Sequence, residues 1–162
     1  MGVSAARIRP LGRADRAAAL AIVEAVGVFS AEEVEAALEL IDEWLASGEA
    51  SEYLCYVLDD EGKVSGFLCF GPTPLTDGTW DIYWIAVHPE AQQRGYGRLL
   101  LAFAEAEIRK RDGRLVALET GSHPQYAGTV TFYLRNGYAL VSRIPDFYRI
   151  GDDRLTLTKQ LG

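Results

Sequence analysis

The sequence predicts a protein of the α/β (α+β) class, a mixed sheet with helices on both faces. Three observations predict it. Segments with strand alternation and segments with helical spacing follow one another in the order β-α-α-β-β-β-α-β-α-β-β. The strand Asp81-Ile82-Tyr83-Trp84-Ile85-Ala86-Val87 passes through a glycine-containing turn into a long helical run. Leu115-Val116-Ala117-Leu118 is apolar without alternation, as suits a central strand buried on both faces.

Each element follows from local chemistry. Residues 5–11 read as the first strand, and residues 15–26 are alanine-rich and helical. Ser30-Ala31-Glu32-Glu33 is a capping box. Val34, Leu38, Ile41 and Leu45 then repeat at helical spacing, up to a stop near Ser47-Gly48. Residues 53–58, the turn Asp59-Asp60-Glu61-Gly62 and residues 63–70 make a hairpin. A loop with Pro72, Pro74 and Gly78 leads to a strand over 80–87. The helix over 99–111 puts Leu100, Phe103, Ala104 and Ile108 on one buried stripe, and residues 115–120 form the next strand. A short helix over 128–136 is stopped by Gly137. Residues 138–143 and 154–159 are the last two strands, with residues 145–153 expected as a polar, aromatic loop.

Length and composition bound the function. With 162 residues the chain is expected to be one domain over 1–162, large enough for a full core. A net charge of −7 disfavours nucleic acid, whose phosphates it repels, and would attract cationic amines. Cys55 and Cys69 fall within strands and suit buried free thiols in a reducing cytosol. His88 and His123 are far apart and no Cys/His/Asp cluster has ligand spacing, so no metal is expected. No Gly-x-Ser-x-Gly elbow supports a serine hydrolase. No apolar run approaches the ~18 residues of a membrane span, and Met1-Gly2-Val3-Ser4-Ala5-Ala6-Arg7 lacks the apolar block of a secretory signal. A cytoplasmic protein with no membrane partner is the expectation.

The most informative stretch is Val87-His88-Pro89-Glu90-Ala91-Gln92-Gln93-Arg94-Gly95-Tyr96-Gly97-Arg98. Two glycines one residue apart, where a strand becomes a helix, let the backbone curl so that several N–H groups point at one spot. The first helical turn adds unpaired N–H groups and the positive end of its dipole, which makes a phosphate cradle. Arg94 and Arg98 flank it. A Rossmann fingerprint needs glycine at position 100, which is Leu100; a P-loop needs Lys and Ser/Thr where Arg98-Leu99 stand.

What remains is Gln92-x-x-Gly95-x-Gly97 after a strand ending Ile85-Ala86-Val87, followed downstream by Phe132-Tyr133-Leu134-Arg135-Asn136-Gly137-Tyr138. With these two motifs in this order the chain resembles the GNAT superfamily of acetyl-CoA-dependent N-acetyltransferases. The resemblance covers nearly the whole chain, the first fifty residues least. It implies a mixed, mostly antiparallel central sheet, and makes the first residues the lead-in to a strand rather than a lipidation site at Gly2. It implies acetyl-CoA as the acyl-donor cosubstrate, held by the backbone of Gln93, Arg94, Gly95, Tyr96, Gly97 and Arg98 at its pyrophosphate. Ile85, Ala86 and Val87 would pair with the pantetheine arm as with another strand. Tyr126 stands where many members carry a CoA-contacting asparagine, so that contact departs from the family pattern.

The resemblance also implies the catalytic groups. A lysine-like amine is free base to only on the order of one part in two thousand near pH 7, so a general base is useful. Tyr133 aligns with the tyrosine that protonates the departing CoA sulfur. The base is Glu119 or Asp81, the two positions at which members carry one. Glu119 is placed ahead, because a carboxylate ending an apolar strand is expected to be desolvated. The acceptor would lie between the loop over 26–30 and the loop before the last strand, where Asp146, Tyr148, Asp152 or Asp153 could recognise an amine; Glu33 is better explained as a cap. Three readings stay open: an N-acetyltransferase for a primary amine, a non-catalytic acyl-CoA-binding or sensor domain, and a protein N-terminal or lysine acetyltransferase. Members of the family often dimerise, which leaves a homodimer open.

Overall fold

The computed structural model describes residues 5–162. Met1 to Ser4, on which the reading of the lead-in rests, lie outside them. Strands and helices alternate in the predicted order: β1 (Ala6–Pro10), α1 (Arg16–Val26), α2 (Ala31–Ser47), β2 (Leu54–Asp60), β3 (Lys63–Pro72), β4 (Thr79–Val87), α3 (Tyr96–Lys110), β5 (Leu115–Gly121), α4 (Ala127–Arg135), β6 (Ala139–Arg149) and β7 (Asp152–Gln160). They build one sheet in the order β1-β2-β3-β4-β5-β7-β6. Every neighbouring pair is antiparallel except β4 with β5.

Two local devices read from the sequence form as expected. Ser30 accepts a hydrogen bond from the Glu33 amide at 3.2 Å, and the Glu33 carboxylate accepts one from the Ser30 amide at 3.3 Å, fixing where α2 begins. The β2–β3 turn places Glu61 and Gly62 at φ 52° and 90°, the paired left-handed conformation of a tight hairpin. Cys55 and Cys69 are free, fully buried and directly opposite each other in this hairpin.

The sheet is covered on both faces. Gly66 and Trp80 look toward α3: a Cβ on Gly66 would meet Leu100, and Trp80 lies with Ile108 around Gly113. On the other face Phe29, between α1 and α2, packs edge-on to Trp84 with centroids 4.7 Å apart. The α2 stripe centres on Ala37, Ile41 and Trp44 rather than on the four aliphatic residues alone; the Trp44 indole donates to the Leu11 carbonyl at 2.8 Å.

Two expectations need correction. The helix after the glycines starts at Tyr96, not residue 99, so it takes in Gly97. Residues 145–149, expected in a loop, are the end of β6, and β7 starts at Asp152. Their polar side chains build the hairpin rather than a loop. The Asp146 carboxylate accepts from the Gly151 amide, and the Asp146 amide donates to Asp153, each at 2.8 Å. Asp146 takes φ 55° at an irregularity in the ladder, and β6 is the outer strand of the sheet, where Pro145 costs no pairing.

Arg9 ties β1 to its neighbours. Its guanidinium meets both oxygens of Asp15 at 2.7 and 3.0 Å and Asp59 at 3.0 Å. These contacts hold both carboxyls below their ordinary range. A carboxylate lowered in the folded state stabilises above its unfolded value of about 3.9, and that contribution is lost as pH falls through the folded value. Arg9→Met is expected to cost about 1–2 kcal/mol at pH 7, roughly 3–6 °C in Tm. Thermal melts at pH 7 and pH 3 check this: the gap between variant and wild type should shrink at the lower pH.

Candidate active site

The site begins where β4 ends. The Gln92 side chain donates to the Val87 carbonyl at 3.2 Å, closing off the strand. Gln93 and Gly95 then take left-handed conformations at φ 66° and 79°. Gly95 is the N-cap of α3, and no side chain caps that helix. The first-turn amides therefore stay open, as an anion site requires. The two glycines have different tasks. Gly95 supplies the positive φ. Gly97 is helical and faces Phe132 of α4, whose ring a Cβ there would meet at the ordinary contact distance of 3.4 Å.

The turn is anchored to the end of β2. Asp60 accepts from the Tyr96 hydroxyl at 2.7 Å and from Arg94 at 3.4 Å. Arg94 is thus turned toward Asp60, whereas Arg98 lines the cavity beside the turn.

Beside this turn the sheet opens. The parallel β4–β5 ladder runs only from Thr79–Leu115 to Asp81–Ala117. Opposite β3, Ile82 pairs with Phe70 and Trp84 with Cys69, leaving Tyr83 as an extra bulged residue. Beyond it β4 stays paired with β3, while its other edge faces a wedge between β4 and β5.

Two cavities occupy the wedge. One, of about 510 Å³, lies between the turn and α4; Ile85, Ala86, Val87, Gln93, Gly95, Tyr96, Gly97 and Arg98 line it. The other, of about 460 Å³, lies under the α1–α2 connection and the β6–β7 hairpin. They share three residues: Ile85, Thr129 and Tyr133.

Tyr133 is buried at this junction, and burial pushes its phenol well above the ordinary value. Its ring is wedged edge-on between Phe132 and Tyr138, at 5.1 and 5.2 Å. Among the described residues its hydroxyl has no hydrogen-bond partner. The two candidate bases lie on one face of the wedge. Asp81 pairs with Ala117, and Glu119 is two residues further along the same face of β5. Asp81 is engaged by the Thr73 hydroxyl at 2.7 Å and lines neither cavity. Glu119 lines the 460 Å³ cavity and pairs with Arg154. Its side chain is about half exposed, not desolvated as expected, because the splay leaves the end of β5 open.

A family model for the acetyltransferase (GNAT) domain matches residues 51–140. The chain belongs to the GNAT acetyltransferase family. Its fold is the GNAT fold: a GNAT-family protein of Desulfovibrio desulfuricans superposes with a TM-score of 0.92 at 38% identity, covering 99% of this chain and 100% of that one. The yncA protein of Salmonella typhimurium, solved with its cofactor acetyl-CoA, superposes with a TM-score of 0.76 at 24% identity, over 98% of this chain and 95% of that one, a likeness of fold. The S-(2-succino)cysteine N-acetyltransferase of Bacillus subtilis is 26% identical over 91 residues, or 54% of this chain. The match spans 55% of that relative's length. GNAT relatives bind acetyl-CoA or CoA, and the open amides, left-handed turn and Arg98 fit such a ligand. No helix among the described residues is long and apolar enough to cross a membrane.

The remaining sequence candidates divide. Tyr126, expected on the CoA side of this GNAT domain, lines the 460 Å³ cavity, and its hydroxyl lies 3.4 Å from Glu33. Tyr148 and Asp152 line the same cavity; Asp146 and Asp153 do not and serve the hairpin. Glu33 both caps α2 and lines the cavity. The sequence reading missed Thr129. Its signal was the four-residue step to Tyr133, which puts both on one face of α4. Phe29 lies in the 26–30 loop named from the sequence, whereas Trp84, also missed, reaches the cavity from a strand that only the tertiary fold brings to it.

Proposed function

We propose that the chain, acting as one domain over residues 1–162, transfers the acetyl group of acetyl-CoA to a primary amine by direct attack. The observation that carries this reading is the meeting of two cavities at Ile85, Thr129 and Tyr133. Donor and acceptor can approach there without a covalent enzyme intermediate. The CoA diphosphate takes the amides of residues 93–98 beside Arg98, and the pantetheine arm pairs with the open edge of β4 at Ile85, Ala86 and Val87. An amide on that edge polarises the thioester carbonyl. Glu119, in the wall of the acceptor cavity, receives the amine proton directly or through water. The C–N bond forms, the C–S bond breaks, and the Tyr133 phenol gives its proton to sulfur. Asp81, held by Thr73 away from both cavities, keeps the strand end in place.

The acceptor is a small amine rather than a protein terminus. Phe29 from the α1–α2 connection and Tyr148 from the β6–β7 hairpin wall the cavity from opposite ends of the chain, and about 460 Å³ suits a small molecule.

Thiol release from acetyl-CoA across a panel of amines tests this. Glu119→Gln should lower kcat by about 10²-fold, at the low end of general-base effects. Asp81→Asn should change it only a few-fold. The reverse ranking would move the base to Asp81. Tight CoA binding in calorimetry with no turnover on any amine would leave an acyl-CoA-binding domain.

A further inference from the structure

Cys55 and Cys69 take no part in the proposed acetyl transfer, yet the β2–β3 hairpin sets them face to face. They are partners in its ladder, and both are fully buried. The Cys55 carbonyl accepts from the Leu11 amide at 3.0 Å, just beyond the end of β1. In an antiparallel strand the N–H and C=O of one residue point to the same side, so Cys55 turns its backbone toward β1 and away from β3. The two cysteines therefore exchange no backbone hydrogen bonds. Partners of this kind have Cα atoms about 4.5 Å apart, inside the span of about 4.4–6.8 Å that a disulfide bridges. Their side chains leave the sheet on one face and come closer than those of a hydrogen-bonded pair. Burial pushes the Cys69 thiol well above its ordinary value, and its hydrogen bond with Cys55 adds to the rise.

One layer of the fold covers the pair. Cys69 lies opposite Trp84, which packs on Phe29, so both thiols face α1 and α2. Ala19 and Val23 of α1 and Ile41 of α2 share one core with them. The two helices are tied together by Arg16, which meets both Asp42 oxygens at 2.7 and 3.0 Å. While this layer is seated, the sulfurs are sealed off and stay protonated, and a protonated thiol is not a nucleophile. Lifting it uncovers both at once.

We infer that Cys55 and Cys69 are a modification site: a two-electron thiol oxidant closes them into a cross-strand disulfide inside the intact hairpin, when α1 and α2 lift together from the sheet. Two S–H bonds break and one S–S bond forms, and the two hydrogens pass to the oxidant. With the uncharged azo compound diamide as the probe, one thiolate adds to the N=N bond. The second sulfur then displaces the hydrazine, which carries both hydrogens away.

The reduced full-length chain, treated with diamide across a series of sub-denaturing urea concentrations, tests this. The product should be a monomer lighter by about 2 Da, with one peptide pair linking Cys55 to Cys69. It should melt about 6 °C or more above the reduced chain, because a ring of about 15 residues is closed without distortion. Cys55→Ala should show neither change. The closure rate should rise with urea on a shallower slope than global unfolding, the mark of a local opening. Two thiols still open to maleimide after full denaturation overturn the inference, as does a bridged chain that melts below the reduced one. A urea slope equal to that of global unfolding places closure in the unfolded chain and overturns the lifting of α1 and α2.

Discussion

Tyr133→Phe is expected to lower kcat by about 10²-fold while the KM for acetyl-CoA moves little. The substitution removes one oxygen and keeps the ring that packs between Phe132 and Tyr138. Among the described residues no protein group loses a hydrogen bond by it, so the loss reads out chemistry rather than folding. The low end of the general-acid range applies because a thiolate, with an ordinary thiol value of about 8.5, already leaves well near neutral pH. A 10²-fold loss corresponds to about 2.7 kcal/mol of transition-state stabilisation. The pH profile adds a second readout. An ordinary phenol is half ionised near pH 10, but burial holds Tyr133 above that value. The proton donor should therefore stay loaded across the alkaline range, and kcat should show no fall below about pH 10 that Tyr133→Phe abolishes. A variant with kcat within threefold of wild type would reduce Tyr133 to a wall of the cavity.

How far the sequence could be read depended on how local each feature was. The α2 cap, the β2–β3 turn and the order of the elements were legible because each is decided within a few residues. The start of α3 was misplaced because Gly97 reads as a helix breaker. In the fold it stands in the first turn, facing Phe132, where a glycine costs little. The end of β6 was missed because proline and aspartates read as loop, and only the neighbouring β7 shows them to be an irregular outer strand. The choice between Asp81 and Glu119 was closed to the sequence for a similar reason. It turns on where the β4–β5 ladder stops and on the bulge at Tyr83, both properties of strand register. The 460 Å³ cavity draws Glu33, Trp84, Glu119, Tyr126 and Tyr148 from five separate segments, so its lining appears only after folding.

Glu105→Ala should be the most destabilising polar substitution, costing about 2–4 kcal/mol and roughly 6–12 °C in Tm. Glu105 is buried on α3, where its two oxygens accept from the Tyr138 hydroxyl and from Lys159, each at 2.9 Å. Lys159 also donates to the Asn136 carbonyl at 3.1 Å, and its ammonium lies 5.6 Å from the centre of the Tyr138 ring. One carboxylate thus joins α3, the α4–β6 connection and β7. Burial and the Glu105 charge both push the Tyr138 phenol up, which keeps it a donor. Removing the anion strands an ammonium and a phenol together. The cost falls below that of a fully buried pair because the Lys159 side chain is still 26% exposed. Glu105→Gln, which can still accept from Tyr138, should lose about half as much. Glu105→Met combined with Lys159→Met should recover part of the loss, since no unpaired charge remains. Denaturant melts of the four proteins check the order. Because Tyr138 also supports the Tyr133 ring, at 5.2 Å, kcat measured well below each Tm should fall in Glu105→Ala as well. If stability drops while kcat stays unchanged, Tyr133 holds its place without help from this network.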